Sequence, residues 1–220
     1  MGYEIEIKLA IRNPKALQRS LKRLGAKLAN PKAPRMNEMN LIFDTPDGGL
    51  AKHGQLLRIR TEAPAPAKKG ARSKSAARTL LTFKSPPEEL AIGDLGPAAG
   101  RRHKVREEIE TDLTDGATMQ RIFEGLGLRG WFRYEKFRTT YVLPRRHAWA
   151  KGLLIEVDET PIGTFVELEG QSTAIDRAAK ELGYSPKDYV LKNYLVLYVE
   201  ECKRQGIQPK DMLFVGGKGG

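Results

Sequence analysis

Apolar and charged residues alternate one for one at the start of the chain, where Tyr3, Ile5, Ile7 and Leu9 stand against Glu4, Glu6 and Lys8. A period of two predicts a β-strand with one apolar and one polar face, here ending near Arg12. The same pattern predicts strands over 36–44, 55–62, 78–85, 102–112, 131–143, 153–158 and 164–170, with a short one over 26–30. Helical spacing appears four times. Ala16, Leu17, Leu21 and Leu24 share a face after Asn13-Pro14, a cap and first-position pair, and Gly25 stops that helix. Thr114 is placed to cap a short helix carrying Met119, Ile122 and Phe123. Residues 172–182 form a third helix stopped by Gly183, and 187–204 a fourth with Tyr194, Leu195, Tyr198 and Val199 on its apolar side. Three stretches carry no period. Residues 63–77 are basic and poor in apolar surface, which predicts a mobile loop; 86–100 are irregular, and the basic, glycine-ended 201–220 are expected to form a flexible tail beyond a domain of residues 1–200.

The polar faces of the strands hold Lys8, Arg58, Arg60, Lys84, Arg106, Lys136 and Arg138, and with them Glu4, Glu6, Glu108, Glu110, Glu156, Asp158, Glu167 and Glu169. Two architectures accommodate such faces. An antiparallel sandwich turns them to water and packs the apolar faces together. A closed barrel turned inside out lines its lumen with them and leaves the apolar faces for helices to cover. Buried without partners, so many charges would be prohibitive; in a wet lumen shared with cations and a polyphosphate, each finds an opposite charge. The barrel has a chemical logic. Glu-x-Glu pairs offer hard oxygen ligands to Mg²⁺ or Mn²⁺. Two arginines two residues apart on a strand, about 7 Å from each other, suit neighbouring phosphate oxygens.

Composition narrows the partner without naming it. The 220 residues carry a net charge of +11, which points to a polyanion: nucleic acid, anionic lipid or a phosphate-rich small molecule. A single cysteine, Cys202, rules out an intrachain disulfide framework and a thiolate metal cluster. No stretch has the layout of a signal peptide or the length of a membrane span, so a reduced, cytoplasmic setting is the expectation.

Glu4-x-Glu6-x-Lys8 resembles the ExExK signature of the CYTH superfamily, the triphosphate tunnel metalloenzymes, which include class IV adenylyl cyclases, thiamine triphosphatases and inorganic triphosphatases. Further matching segments follow in the family's order: Phe43-Asp44-Thr45-Pro46, Leu57-Arg58-Ile59-Arg60, Thr82-Phe83-Lys84, Arg106-Glu107-Glu108-Ile109-Glu110, Lys136-x-Arg138, Asp158 ahead of Pro161-x-Gly163, and Phe165-Val166-Glu167-Leu168-Glu169. The resemblance covers residues 1–200. It implies an α+β fold: a closed eight-stranded antiparallel β-barrel, or tunnel, with a charged lumen and helices packed on the outside. It implies Glu4, Glu6, Asp158, Glu167 and Glu169 as ligands of Mg²⁺ or Mn²⁺, directly or through water. Lys8, Arg58, Arg60, Lys84, Arg106, Lys136 and Arg138 would hold a triphosphate, with Lys8, Arg58 and Lys84 in the catalytic role. Glu108, Glu110 and Glu156 would support them in the lumen. The family signature holds no histidine, which leaves His53, His103 and His147 as expected surface residues, and Lys192 reads as a helix-surface charge.

The chain departs from the family pattern at Asn40 and Ile42, where many members carry an Asp and a Tyr. Three functions remain open at this point. The first is metal-dependent hydrolysis of inorganic triphosphate, thiamine triphosphate or a nucleoside triphosphate. The second is a class IV adenylyl cyclase making cyclic AMP and pyrophosphate from ATP. The third is a non-catalytic binder of polyphosphate or RNA. With a small-molecule triphosphate as the favoured partner, nucleic acid and membrane are not expected, and monomer or homodimer both fit.

Overall fold

A computed structural model describes residues 2–65, 77–86 and 102–215. Most of the two irregular stretches read from the sequence therefore lies outside the described residues. The strands are β1 (Gly2–Ala10), β2 (Lys27–Leu28), β3 (Met36–Asp44), β4 (Leu56–Pro64), β5 (Arg78–Ser85), β6 (Lys104–Leu113), β7 (Arg129–Val142), β8 (Leu154–Thr160), β9 (Gly163–Glu169) and β10 (Tyr189–Val190). Eight of them pair antiparallel in the order β1-β6-β5-β4-β3-β7-β8-β9, and β9 pairs back onto β1. The sheet is a closed barrel, and the sandwich alternative is excluded. Glu6 faces Lys104 on one side and Glu169 on the other, which fixes the register at the seam. β2 and β10 add short pairings to β7 and β1.

The alternation decides which side is core. Ile7 and Leu9 of β1, Ile155 of β8, and Val166 and Leu168 of β9 point outward and are at most 1% exposed. They pack beneath α1 (Pro14–Leu24) and α4 (Ser172–Leu182), which contribute Leu17, Leu21, Leu24, Ile175 and Ala178. Burying a side chain of this size contributes about 1.5–3 kcal/mol, so this layer is the main hydrophobic core. Asn13 caps α1 through its side chain, and Gly25 closes it at φ 68°, a backbone conformation glycine adopts freely. A second cluster, Phe43, Ile59 and Phe123, lies under α3 (Gly116–Gly125).

Several elements differ from the sequence reading. Asp115, not Thr114, caps α3, because its carboxylate accepts from Thr118 N–H at 2.9 Å. The stretch after Asp44 forms a one-turn helix, α2 (Gly49–Lys52), held by Asp44, which accepts from Leu50 N–H at 2.8 Å and Ala51 N–H at 3.0 Å. The long helix over 187–204 is split. Ser185 and Asp188 form a capping box around a single 3₁₀ turn, Tyr189 and Val190 pair with β1, and Asn193 caps a fresh helix, α5 (Tyr194–Gln205). After Gly206 the chain returns to the barrel. Met212 is 1% exposed, and its backbone bonds Arg133 and Glu135 of β7, each at 2.9 Å.

Candidate functional site

The inward faces of the barrel strands enclose a cavity of about 80 Å³. Of the residues proposed from the sequence, Glu4, Glu6, Lys8, Arg58, Arg60, Lys84, Arg106, Lys136, Arg138 and Glu167 line it together. Glu108, Glu156 and Asp158 reach it through ion pairs with lining cations, and Glu110 accepts from Thr82 at 2.8 Å. Glu169 stands opposite Glu6 across the seam. The charges are sorted around the barrel. Adjacent β8, β9 and β1 carry Glu156, Asp158, Glu167, Glu169, Glu4 and Glu6, whereas β5, β4 and β7 carry Lys84, Arg58, Arg60, Lys136 and Arg138. An acidic wall faces a basic wall.

Most of these charges are paired. Lys8 reaches Glu167 at 3.0 Å, Lys104 reaches Glu6 at 2.5 Å and Lys84 reaches Glu4 at 2.5 Å. Asp158, fully buried, accepts from Lys136 at 2.8 Å, from Arg138 at 2.7 Å and from the Tyr194 hydroxyl at 2.7 Å. Arg138 also contacts Glu156 and Glu167. Two guanidinium groups differ. Among the described residues Arg58, 5% exposed, makes hydrogen bonds only to Tyr134 and Thr82, both at 3.2 Å, and its buried Nε has no partner. Arg106, half-buried, donates to the Gly54 carbonyl and pairs with no carboxylate among the described residues. A guanidinium held away from water with no carboxylate in ion-pair range favours an anionic ligand.

The acidic wall has the opposite imbalance. Burial, reinforced by the charges of Glu156 and Glu4, pushes Glu169 up to about 8. Burial also raises Glu156 to about 7 against the pull of Arg138. In Glu6 burial is outweighed by Lys8 and Lys104, and its carboxyl is held at about 2. Among the described residues no three acids converge into a ready metal cage, because lysines hold Glu4 and Glu6. The donor set still fits a hard divalent cation: all ligands are oxygen, and among the described residues no lysine or arginine pairs with Glu169, whose charge burial disfavours.

Sequence reasoning missed several lumen residues. Lys104 shares the face of Arg106 by period two, and Glu38 shares that of Asn40, so alternation could have found both. Tyr134 likewise shares the face of Lys136 and Arg138 on β7, whereas Tyr194 gave no such signal. Tyr194, first residue of α5, is 5% exposed, and Lys8 and Lys136 lie 5.2 and 5.3 Å from its ring centre. Asn193 and Leu195 line the cavity beside it. His103 corrects the expectation of a surface histidine. It is 1% exposed, because its Nε2–H donates to Asp176 of α4 at 2.9 Å, a carboxylate that also accepts from Tyr189 at 2.9 Å. Lys192 pairs with Glu200 at 2.6 Å on the surface of α5.

Comparison with known proteins places the chain. The family described as "CYTH domain" matches residues 2–194. A Methanocaldococcus jannaschii protein named "Putative adenylate cyclase MJ0240" is 25% identical over 205 residues, covering 88% of this chain and 97% of that protein. Among solved structures, the PH1819 protein of Pyrococcus horikoshii aligns at 20% identity and TM-score 0.64, over 90% of this chain and 99% of that one. HpAC1 from Hippeastrum, described as a "putative adenylyl cyclase" with "a dominant" triphosphatase activity, aligns at 22% identity and TM-score 0.54, over 94% and 97%. At these identities the two solved structures speak to the fold. Among the described residues no helix is long and apolar enough to cross a membrane.

Proposed function

The chain belongs to the CYTH family, whose enzymes are triphosphatases or class IV adenylyl cyclases that generally depend on a divalent metal, and from that premise we propose that it hydrolyses a triphosphate in the barrel lumen. The observation that carries this reading is the sorting of charge, with Arg58 and Arg106 lacking carboxylate partners among the described residues in a cavity otherwise rich in ion pairs. A linear triphosphate supplies the anions they lack. Arg58, Arg60, Lys84, Arg106, Lys136 and Arg138 hold its oxygens, with arginine able to do so in bidentate fashion. Lys8 lies within the acidic wall, on β1 beside Glu6 and opposite Glu167 of β9, and reaches whichever phosphoryl group lies closest to the acids.

Glu4, Glu6, Glu167 and Glu169 are the residues that would hold the metal. Asp158 already accepts from Lys136, Arg138 and Tyr194 and is better placed to fix those cations than to ligate directly. Held by these residues, Mg²⁺ or Mn²⁺ would supply positive charge to offset the negative charge that develops on the reacting oxygens. Water attacks the terminal phosphorus, the bond to the bridging oxygen breaks, and diphosphate leaves with that electron pair. Rate enhancement then comes from positioning and from cations fixed where negative charge develops.

A second reading has one observation in its favour, the adenylate cyclase name of the Methanocaldococcus jannaschii relative. In that reaction the ribose 3′-hydroxyl attacks the α-phosphorus and pyrophosphate leaves. Incubation with inorganic triphosphate, thiamine triphosphate and ATP, each with Mg²⁺ or Mn²⁺, separates the two. Phosphate without cyclic AMP supports hydrolysis, and cyclic AMP with pyrophosphate overturns it.

A further inference from the structure

Glu38 sits on the wrong wall. It lies on β3, between β4 and β7, directly opposite Glu62 on one side and Lys136 on the other. It is 2% exposed, and its carboxylate stands 3.6 Å from Arg60, 3.3 Å from Lys136 and 3.5 Å from Arg138. Among the described residues no other touches all three of these proposed phosphate contacts. The contacts are ion pairs rather than formed hydrogen bonds, since Glu38 Oε2 is buried and accepts none. Burial disfavours its charge, yet Arg60, Lys136 and Arg138 hold the carboxyl well below the usual range. The group is therefore a permanent anion, loosely bonded, amid three cations that converge on one spot.

We infer that Glu38 is a positioning residue: a resident anion that gathers Arg60, Lys136 and Arg138 and holds them where the phosphoryl oxygens must meet them. This rests on the proposed triphosphate chemistry and deepens it. Asp158 holds Lys136 and Arg138 and Glu62 holds Arg60 at 3.1 Å, but among the described residues Glu38 alone joins the Arg60 side to the Lys136–Arg138 side. The same carboxylate opposes the ligand, because two anions now share one set of donors. Glu38 thus costs ground-state affinity and supplies preorganisation. The sign of that trade-off is distinctive, since a merely structural ion pair would not improve binding when broken.

The experiment compares wild type, Glu38→Gln and Glu38→Asp. Tripolyphosphate affinity is measured by calorimetry without metal, turnover with Mg²⁺, and folding by near-ultraviolet circular dichroism and urea midpoint. Loss of one anion about 6–8 Å from the ligand predicts roughly 30–100-fold tighter binding for Glu38→Gln at an effective dielectric near 20, with kcat lowered about tenfold or more. Glu38→Asp keeps the charge with a shorter reach and gives smaller shifts of the same sign; it carries the test if Glu38→Gln does not fold. Weaker binding by the variants, or kcat unchanged with folding intact, overturns the inference. A wild type that neither binds nor turns over triphosphate overturns the functional reading instead.

Discussion

Replacing Arg58 with methionine separates the two roles a buried cation can play. Among the described residues Arg58 makes two hydrogen bonds at 3.2 Å, to Tyr134 and Thr82, and no ion pair. Their loss costs about 1 kcal/mol each, and Thr82 keeps its bond to Glu110 at 2.8 Å. Against this stands the removal of a desolvated charge, worth several kcal/mol before relaxation. The balance predicts that Arg58→Met leaves stability unchanged within about 1 kcal/mol, or raises it. Lys136→Met is the control, because it breaks buried ion pairs to Glu38 and Asp158, leaving the first to Arg60 and Arg138 and the second to Arg138 and Tyr194, and should cost up to about 3–5 kcal/mol. With an m-value of about 2–3 kcal/mol/M, that is a fall in urea midpoint of about 1–2 M. Tripolyphosphate affinity should fall in Arg58→Met by about 10–100-fold, the worth of a charge-assisted hydrogen bond pair. Urea titration and calorimetry on the two variants check both halves. If Arg58→Met loses as much stability as Lys136→Met while keeping its affinity, Arg58 is structural and the argument from the unpaired guanidinium fails.

Other predictions follow from neighbouring groups. Glu6 and Glu38 have carboxyls held low, so the stability they contribute is present above about pH 4.5 and is lost as pH falls further. Glu156 and Glu169 have theirs raised to about 7 and about 8, so the stability they contribute is fully present below about pH 4.5 and is lost as pH rises from there through that range. Without metal the urea midpoint should therefore peak near about pH 4.5 and fall toward pH 8, and Mg²⁺ should raise it more at pH 8.5 than at pH 6; a metal effect independent of pH would contradict the assignment. Tyr194→Phe keeps the ring between Lys8 and Lys136 and loses one of the bonds to Asp158, a cost of about 1 kcal/mol, whereas Tyr194→Ala should cost about 3–5 kcal/mol. Ending the chain at Gly206 removes buried Met212 from its cluster with Phe132, Tyr134 and Phe165 and should lower the urea midpoint in proportion.

The strands were legible because a barrel with a charged inside preserves strict alternation: Glu4, Glu6 and Lys8 face in, Ile7 and Leu9 face out. The helix signals were legible where a side chain acts locally, as Asn13 and Gly25 do for α1. What the sequence withheld depends on closure. Glu38 belongs to the basic wall only because β3 lies between β4 and β7, and no local pattern states that order. Tyr194 reads as an apolar helix residue until α5 is set against the lumen, where its hydroxyl meets Asp158. The burial of His103 is tertiary in the same way, since Asp176 comes from a helix far along the chain. The break at 187–204 was carried by Ser185 and Asn193, whose capping roles compete with a continuous apolar face.

The central claim is that the lumen binds a triphosphate chain and cleaves its terminal phosphoryl group with a divalent metal. The direct measurement is product analysis after incubating the purified protein with inorganic triphosphate and with ATP, with and without Mg²⁺ or Mn²⁺, alongside Glu4→Gln. The account predicts metal-dependent release of phosphate, no cyclic AMP, and loss of turnover in Glu4→Gln. Cyclic AMP and pyrophosphate from ATP, or tight triphosphate binding without turnover under any metal, would contradict it.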